Sequence, residues 1–329
     1  MAKSGTRMTA QTSVPSTAHR EFGSRKVRTR IHRMGDAFTW RRTREHRSLV
    51  DSPGELIPAQ TEDAARLVAG VRAGNTFTYR LPGDTTLGED LARAWRSGQA
   101  GPVARYFAAA GATLHALATS SEFHQELPPP LGACQILSRL RRPDSGTSGE
   151  SRGHARLRTQ LFTIAGTARA RTLEAWAGEL IEEPRRPGLL HGEYSVSAMV
   201  PAQDRRQLAV LFGETVSRGA IEYDAGWLLG ELAEWSDVSR AEGGATALPL
   251  GSLASSFLRP LPDLDFDLLG RVVVLRRLMH VIDYVSAFGW SDLVNPYVAL
   301  LPELVDSHGM STLSRIGWEE DVAARLPSM

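Results

Sequence analysis

The chain has 329 residues, of which 42% are hydrophobic and 23% charged. This is the make-up of a soluble globular protein, long enough for about two or three units of ~100–200 residues. A formal net charge of +1 gives no argument for nucleic acid or a membrane surface as a partner. Cys134 is the only cysteine, which excludes an intrachain disulfide and a multi-cysteine metal site. Its setting, LGACQIL, reads as a buried structural thiol.

Residues 1–20 are polar, rich in Ser, Thr and Ala, and are expected to be disordered. They contain no apolar signal segment, and no run of about 18 apolar residues occurs after them. The expectation is a cytoplasmic protein without a membrane span. Residues 26–42, KVRTRIHRMGDAFTWRR, alternate Val27, Thr29 and Ile31, turn at Met34-Gly35-Asp36, and alternate again at Phe38 and Trp40. That pattern predicts a β-hairpin. TREHRSLV (43–50) is a short helix candidate. Residues 65–84 predict two strands around Ala73-Gly74-Asn75, closed by Pro82-Gly83.

From Leu87 the period changes to 3–4 residues, as in LGEDLARAW and in 102–118, where Val103, Phe107, Ala110, Leu114 and Leu117 share one face. RRPDSGTSGESRGH (141–154) reads as a flexible surface loop. The next stretch, to Glu183, reads as one long helix or two shorter ones. Two strands are predicted at GLLHG (188–192) and QLAVLFG (207–213). Helices are predicted in 226–235, in 270–290, and in DLVNPYVALLPELV. The acidic run LPDLDFDL (261–268) reads as a solvated loop. The fold class is therefore α+β, with a β-rich small unit over 21–82 ahead of a helical unit over 83–329, and no internal repeat.

One stretch carries chemistry. In LLHGEYSVSAMV (189–200) an apolar run ends in His191-Gly192, followed by Glu193, a short polar segment and a second apolar run. This has the form of a catalytic loop between strands. Glu193 is either a catalytic carboxylate or an acid that bonds backbone groups in a turn. No His-x-x-x-His with an intervening glutamate occurs, and GSLASSF (251–257) lacks a nucleophile elbow.

A small β lobe, a hinge, and helices carrying His-Gly-acid together resemble the aminoglycoside phosphotransferase-like branch of the protein-kinase fold, over about residues 22–300. FTYRLPGDTTL (77–87) resembles the family's hinge, which implies that Thr78, Tyr79 and Leu81 face an adenine ring. In the family the loop reads His-Gly-Asp, four residues, then Asn; the Asp receives the acceptor's proton and the Asn holds magnesium. The resemblance thus implies catalytic roles for Glu193 and His191, and puts Ala198 where the Asn belongs. LFGETVSRGAIEYDAG (211–226) resembles the metal-binding strand together with the start of the helix after it. Asp224 then takes a structural position, Phe212 the place of the metal-binding Asp, and Glu214 becomes the candidate magnesium ligand, helped by Ser197. Gly23 takes the nucleotide-covering turn. Arg41, or Arg42 if the register slips by one, takes the place of the phosphate-binding lysine, with Glu45 as its partner.

EYDAGWLLGELAEW and the trimmed small lobe are most similar to phosphotransferase-like proteins of thioviridamide-type and class V lanthipeptide pathways. That similarity implies ATP and Mg2+ as cofactors and phosphorylation of Ser or Thr in a precursor peptide. A separate lyase partner would then eliminate the phosphate. Apolar residues at two metal positions leave open a pseudokinase-like subunit that binds peptide or lyase. A small-molecule antibiotic kinase, with the 261–268 acids receiving a cationic substrate, is the third reading.

Overall fold

The computed structural model describes residues 19–23, 26–45, 53–57, 65–99, 101–120, 127–141, 149–182, 186–241, 248–261 and 263–318. Residues 1–18, which hold most of the expected tail, lie outside them. Arg20, counted with that tail, instead opens the first strand.

The small lobe is a five-stranded sheet. Its strands are β1 (Arg20–Gly23), β2 (Val27–Met34), β3 (Ala37–Arg44), β5 (Val71–Ala73) and β6 (Thr76–Leu81), in the antiparallel order β1-β2-β3-β6-β5. The expected hairpin is present, with Met34 paired to Ala37 across the turn. The two strands expected within 65–84 are three. Gly70 separates β4 (Ala65–Ala69) from β5, and β4 leaves the small-lobe sheet to run parallel to β9 (Leu208–Phe212). A side chain at 70 would put its Cβ within 2.7 Å of the Tyr79 ring, so only glycine lets that ring lie against the chain here. The helix expected over 43–50 is contradicted at its start, because Thr43 and Arg44 complete β3. Residues 46–50 lie outside the described set.

The large lobe begins with α1 (Leu87–Ser97). A capping box starts this helix: Thr86 accepts the Glu89 amide, and Glu89 accepts the Thr86 amide. Then come α2 (Gly101–Ala118) and α3 (Leu131–Arg141). The expected loop over 141–154 is helical from Gly149 onward, where α4 (Gly149–Ile164) begins. His154 is buried against α8 (Phe266–Phe288) and bonds Ser286 at 2.8 Å, so burial overrides the polar, glycine-rich composition. The long segment resolves into two helices, α4 and α5 (Gly166–Glu182).

Strands β7 (Gly188–Leu190) and β10 (Ser217–Gly219) pair, and β8 (Met199–Pro201) joins β9 and β4 in a three-stranded sheet. Helices α6 (Ile221–Ala241), α7 (Leu250–Leu258), α8 (Phe266–Phe288), α9 (Asn295–Asp306) and α10 (Met310–Arg315) complete the lobe. α6 and α8 pack along each other, and two large apolar clusters line the pair. The acid run at 261–268 is structural in part. Asp265 caps α8 by accepting the Asp267 and Leu268 amides, and Asp267 accepts from Arg271 and His308. Among the described residues no helix is long and apolar enough to cross a membrane.

Candidate functional site: an arginine held between two glutamates

The loop at 191–198 is held from beneath. Asp224, in the first turn of α6, is fully buried and accepts the backbone amides of His191 at 2.7 Å and Gly192 at 3.0 Å. Burial raises its carboxyl to about 7 against the pull of those amides. Gly192 has φ +89°, and a Cβ there would lie 1.8 Å from the Thr215 carbonyl oxygen. The tight turn after His191 therefore requires glycine. The His191 ring lies at 2.5 Å, through Nε2, from the Leu211 carbonyl, and its Nδ1 accepts the Glu193 amide at 3.4 Å. That pairing fixes the Nε2–H tautomer. Burial lowers the pKa of the imidazole. His191 thus shapes the loop, and its ring nitrogens are both engaged by backbone.

Glu193 and Glu214 converge, and the cation between them comes from an unexpected position. Arg44, the last residue of β3, donates through one terminal nitrogen to Glu193 Oε2 at 2.7 Å and through the other to Glu214 Oε2 at 3.0 Å. Arg42 Nε stands 3.3 Å from Glu214 Oε1, and the Tyr79 hydroxyl donates to the same oxygen at 2.9 Å. Burial pushes Glu214 up, but Arg42, Arg44 and the hydrogen bonds outweigh it, and its pKa falls below the usual glutamate value. Burial pulls Arg44 down; the two glutamates more than reverse this and raise it.

The period of the strand decides which arginines arrive here. Phe38 and Trp40 are buried on the inner face of β3, so Arg42 and Arg44 follow on that face, while Arg41 points away and is exposed. This corrects the assignment of Arg41 as the phosphate clamp: the one-residue slip to Arg42 describes the inner face. Glu45, its expected partner, is exposed, and its amide donates to the Lys26 carbonyl at 2.9 Å. The acids that answer the inner arginines come from the large lobe instead.

The adenine expectation meets a filled cleft. On β6, Tyr79 and Leu81 face inward at 1% exposure, whereas Thr78 faces outward opposite Arg41. Ile31, Phe38, Trp40, Phe77, Tyr79 and Leu81 of the small lobe pack on Ala198 and on Val200, Ala209 and Leu211 of the β8–β9 hairpin as one buried cluster. The Trp40 indole N–H donates to the Gly83 carbonyl at 2.9 Å, and the Pro82 carbonyl accepts the Gln203 amide at 3.1 Å. These two hinge carbonyls are thus paired within the chain. Gly23, expected in the nucleotide-covering turn, is the last residue of β1.

Magnesium fares no better. A divalent cation of this kind needs several oxygen ligands in near-octahedral array. Both Glu214 oxygens are engaged by Arg42, Arg44 and Tyr79, and Phe212 and Ala198 are buried apolar residues. Ser197 is exposed, its hydroxyl bonded to Ser195 at 2.8 Å. Among the described residues no group of three or more His, Cys, Asp and Glu side chains could hold a metal. The residues present do not fit magnesium, and the Arg44 guanidinium lies between Glu193 and Glu214.

Beside Glu193 a cavity of about 330 Å3 opens toward α8. Arg44, Glu193, Glu231, Arg276, Trp227 and Tyr284 are among its walls. Arg276 pairs with Glu234 at 2.9 Å and stacks over Trp227, 5.5 Å from the ring centre. Burial raises Glu231 to about 7, and one of its oxygens accepts the Val196 amide at 3.0 Å. The Lys26 ammonium pairs with Asp283 across this mouth. His280 also lines the cavity, and burial lowers its pKa to about 4. None of Arg44, Glu231, Arg276 and Trp227 was singled out from the sequence. For Arg44 a signal existed in the alternation that begins at Phe38; the others stand out only once α6 and α8 are packed.

Comparison with protein-family models finds no match, and none is found among curated proteins. Solved structures do match. A protein from Ralstonia eutropha JMP134, provisionally named an aminoglycoside phosphotransferase, aligns with a TM-score of 0.50 at 11% identity. The alignment covers 93% of this chain and 94% of that one. The amicoumacin kinase hAmiN, solved in complex with AMP-PNP, Ca2+ and Ami, aligns with a TM-score of 0.52 at 13% identity over 89% of each chain. At such identities the likeness speaks for architecture alone, and it establishes that this chain has the protein-kinase-like fold of which aminoglycoside phosphotransferases are examples.

Proposed function

We propose that this chain is a kinase-fold binding protein whose nucleotide cleft is occupied by its own side chains. The observation that carries this is Trp40. It lies at 1% exposure between the small-lobe sheet and the β8–β9 hairpin, with its indole N–H on the hinge carbonyl of Gly83. The resemblance puts the adenine ring against Tyr79 and Leu81, and Trp40 packs with both in one buried cluster. Arg44 supports the reading, because its charge already satisfies Glu214, the acid expected to hold magnesium, together with Glu193. The similarity to phosphotransferase-like proteins of ribosomal peptide pathways supplies the partner class, a precursor peptide or a separate lyase. The cavity beside Glu193 supplies a place for a peptide segment. The 261–268 acids, invoked for a cationic antibiotic, do not line it.

Phosphoryl transfer to a peptide Ser or Thr is the second reading. The convergence of Glu193 and Glu214 on one cation favours it, since catalysis of this kind is mostly positioning and charge neutralisation. It requires Trp40 to leave the cleft and Arg44 to release Glu214. Calorimetric titration with ATP, with and without Mg2+, separates the two. The expected result is no saturable heat in either condition. Magnesium-dependent ATP binding that disappears in Glu214→Gln would replace the first reading by the second.

A further inference from the structure

The small-lobe sheet has an outer face that the cleft does not use. Strand register fixes what it displays. One cross-strand row runs Glu21, Arg30, Arg41, Thr78, Val71 over all five strands. The row on one side holds Arg28, Thr43, Thr76 and Ala73, and the row on the other holds His32, Thr39 and Arg80. Four arginines therefore share the face with one acid. Glu21 stands 3.1 Å from Arg30 and 3.7 Å from Arg28. Arg41 and Arg80 are exposed and have no ion-pair partner among the described residues. Arg30 and Arg41 are directly opposed, and like charges in that position destabilise a sheet.

A sheet that keeps such a pair, in a chain whose net charge is only +1, concentrates positive charge on one surface against its own stability. We infer that this face docks an acidic polypeptide segment. The carboxylates of the segment would lie between Arg30, Arg41 and Arg80, and the hydroxyls of Thr39, Thr43, Thr76 and Thr78 would supply further hydrogen bonds. Planar guanidinium forks match carboxylates two hydrogen bonds at a time. Adjacent strands about 4.8 Å apart put the opposed pair within reach of neighbouring acidic side chains. Single-stranded nucleic acid fits the face less well, because stacking on aromatic rings is a main source of its binding and none of the named outer residues is aromatic. A lipid surface fits less well too, since Val71 is the one large apolar side chain these rows present. This surface lies on the opposite side of the sheet from the cleft and is independent of how the cleft is read.

The test uses the full chain and a fluorescein-labelled dodecamer of glutamate as probe, read by anisotropy. Wild type is expected to bind saturably at low salt and to lose at least tenfold in affinity when NaCl rises to about 300 mM, as a charge-driven contact should. Arg41→Gln and Arg80→Gln are each expected to weaken binding about three- to tenfold. Arg41→Gln should melt no lower than wild type, because it relieves the opposed pair. Arg171→Gln, the same charge change on an exposed position of α5, should bind like wild type. Unchanged binding in both sheet variants, or an equal loss in Arg171→Gln, would overturn the inference. So would tighter binding of an equally charged oligothymidine, or of phosphatidylserine-containing vesicles, than of the peptide.

Discussion

Replacing Arg44 by methionine tests the centre of the site. The Arg44 side chain is 10% exposed and the Glu214 side chain 6%. Removing the cation leaves Glu214 buried with Arg42 Nε at 3.3 Å and the Tyr79 hydroxyl, and leaves Glu193 without its partner. Breaking one side of a buried pair costs about 3–5 kcal/mol; because Arg42 remains, the lower end, about 3 kcal/mol, applies. At ~2–4 °C per kcal/mol for a domain of this general size, the melting temperature should fall by roughly 6–12 °C. Arg44→Met combined with Glu214→Gln should recover most of that loss, since no uncompensated charge is then buried. The pH dependence gives an independent check. The folded pKa of Glu214 is depressed, so its stabilisation is present above the unfolded glutamate value of about 4.3 and is lost as pH falls through the folded value. The Glu214 share of the acid-induced loss should therefore shrink in Arg44→Met, so that the gap in melting temperature between variant and wild type narrows as pH falls. Differential scanning fluorimetry over pH 3–7 reads both effects. A single variant that melts within about 2 °C of wild type, with an unchanged acid limb, would show that Arg44 is not the counter-charge of Glu214.

Asp224, Glu231 and Glu234 behave in the opposite sense. Burial raises each to about 7, so they favour folding below the unfolded carboxylate range and lose that contribution as pH rises through 7. The denaturant midpoint should decline between about pH 5 and pH 8, and Glu234→Gln should flatten the decline. Trp40→Ala should cost about 3–5 kcal/mol and open a slot against the Gly83 carbonyl. Adenosine at millimolar concentration should then raise the melting temperature of the variant and leave wild type unmoved; equal shifts in both would mean that the wild-type cleft already admits a purine. Gly192→Ala should destabilise by more than ~1–2 kcal/mol, because the left-handed backbone alone is worth that much to an L-residue and its Cβ would also overlap the Thr215 carbonyl. Chemical denaturation checks this, and a midpoint equal to wild type would mean that the loop can relax.

Local pattern in the sequence carried much of the fold. The alternation from Val27 to Trp40 specified the hairpin, the 3–4 spacing after Leu87 specified helices, and His191-Gly192-Glu193 marked the loop, because each rests on interactions within a few residues. Other features depend on contacts far apart in the chain. Arg44 meets Glu193 and Glu214 across separations of 149 and 170 residues, and β4 pairs with β9 rather than with its neighbours. The polar stretch from Gly149 became helix because α8 covers His154. A period of two also leaves no tolerance for register: one residue separates Arg41, turned to solvent, from Arg42, turned to Glu214. The order of the elements and the acids at 193 and 214 could be read from the linear chain. That an arginine sits between those acids, and that a tryptophan fills the space beside the hinge, came from the packing of the two lobes, because burial and pairing of charge are properties of the assembled chain.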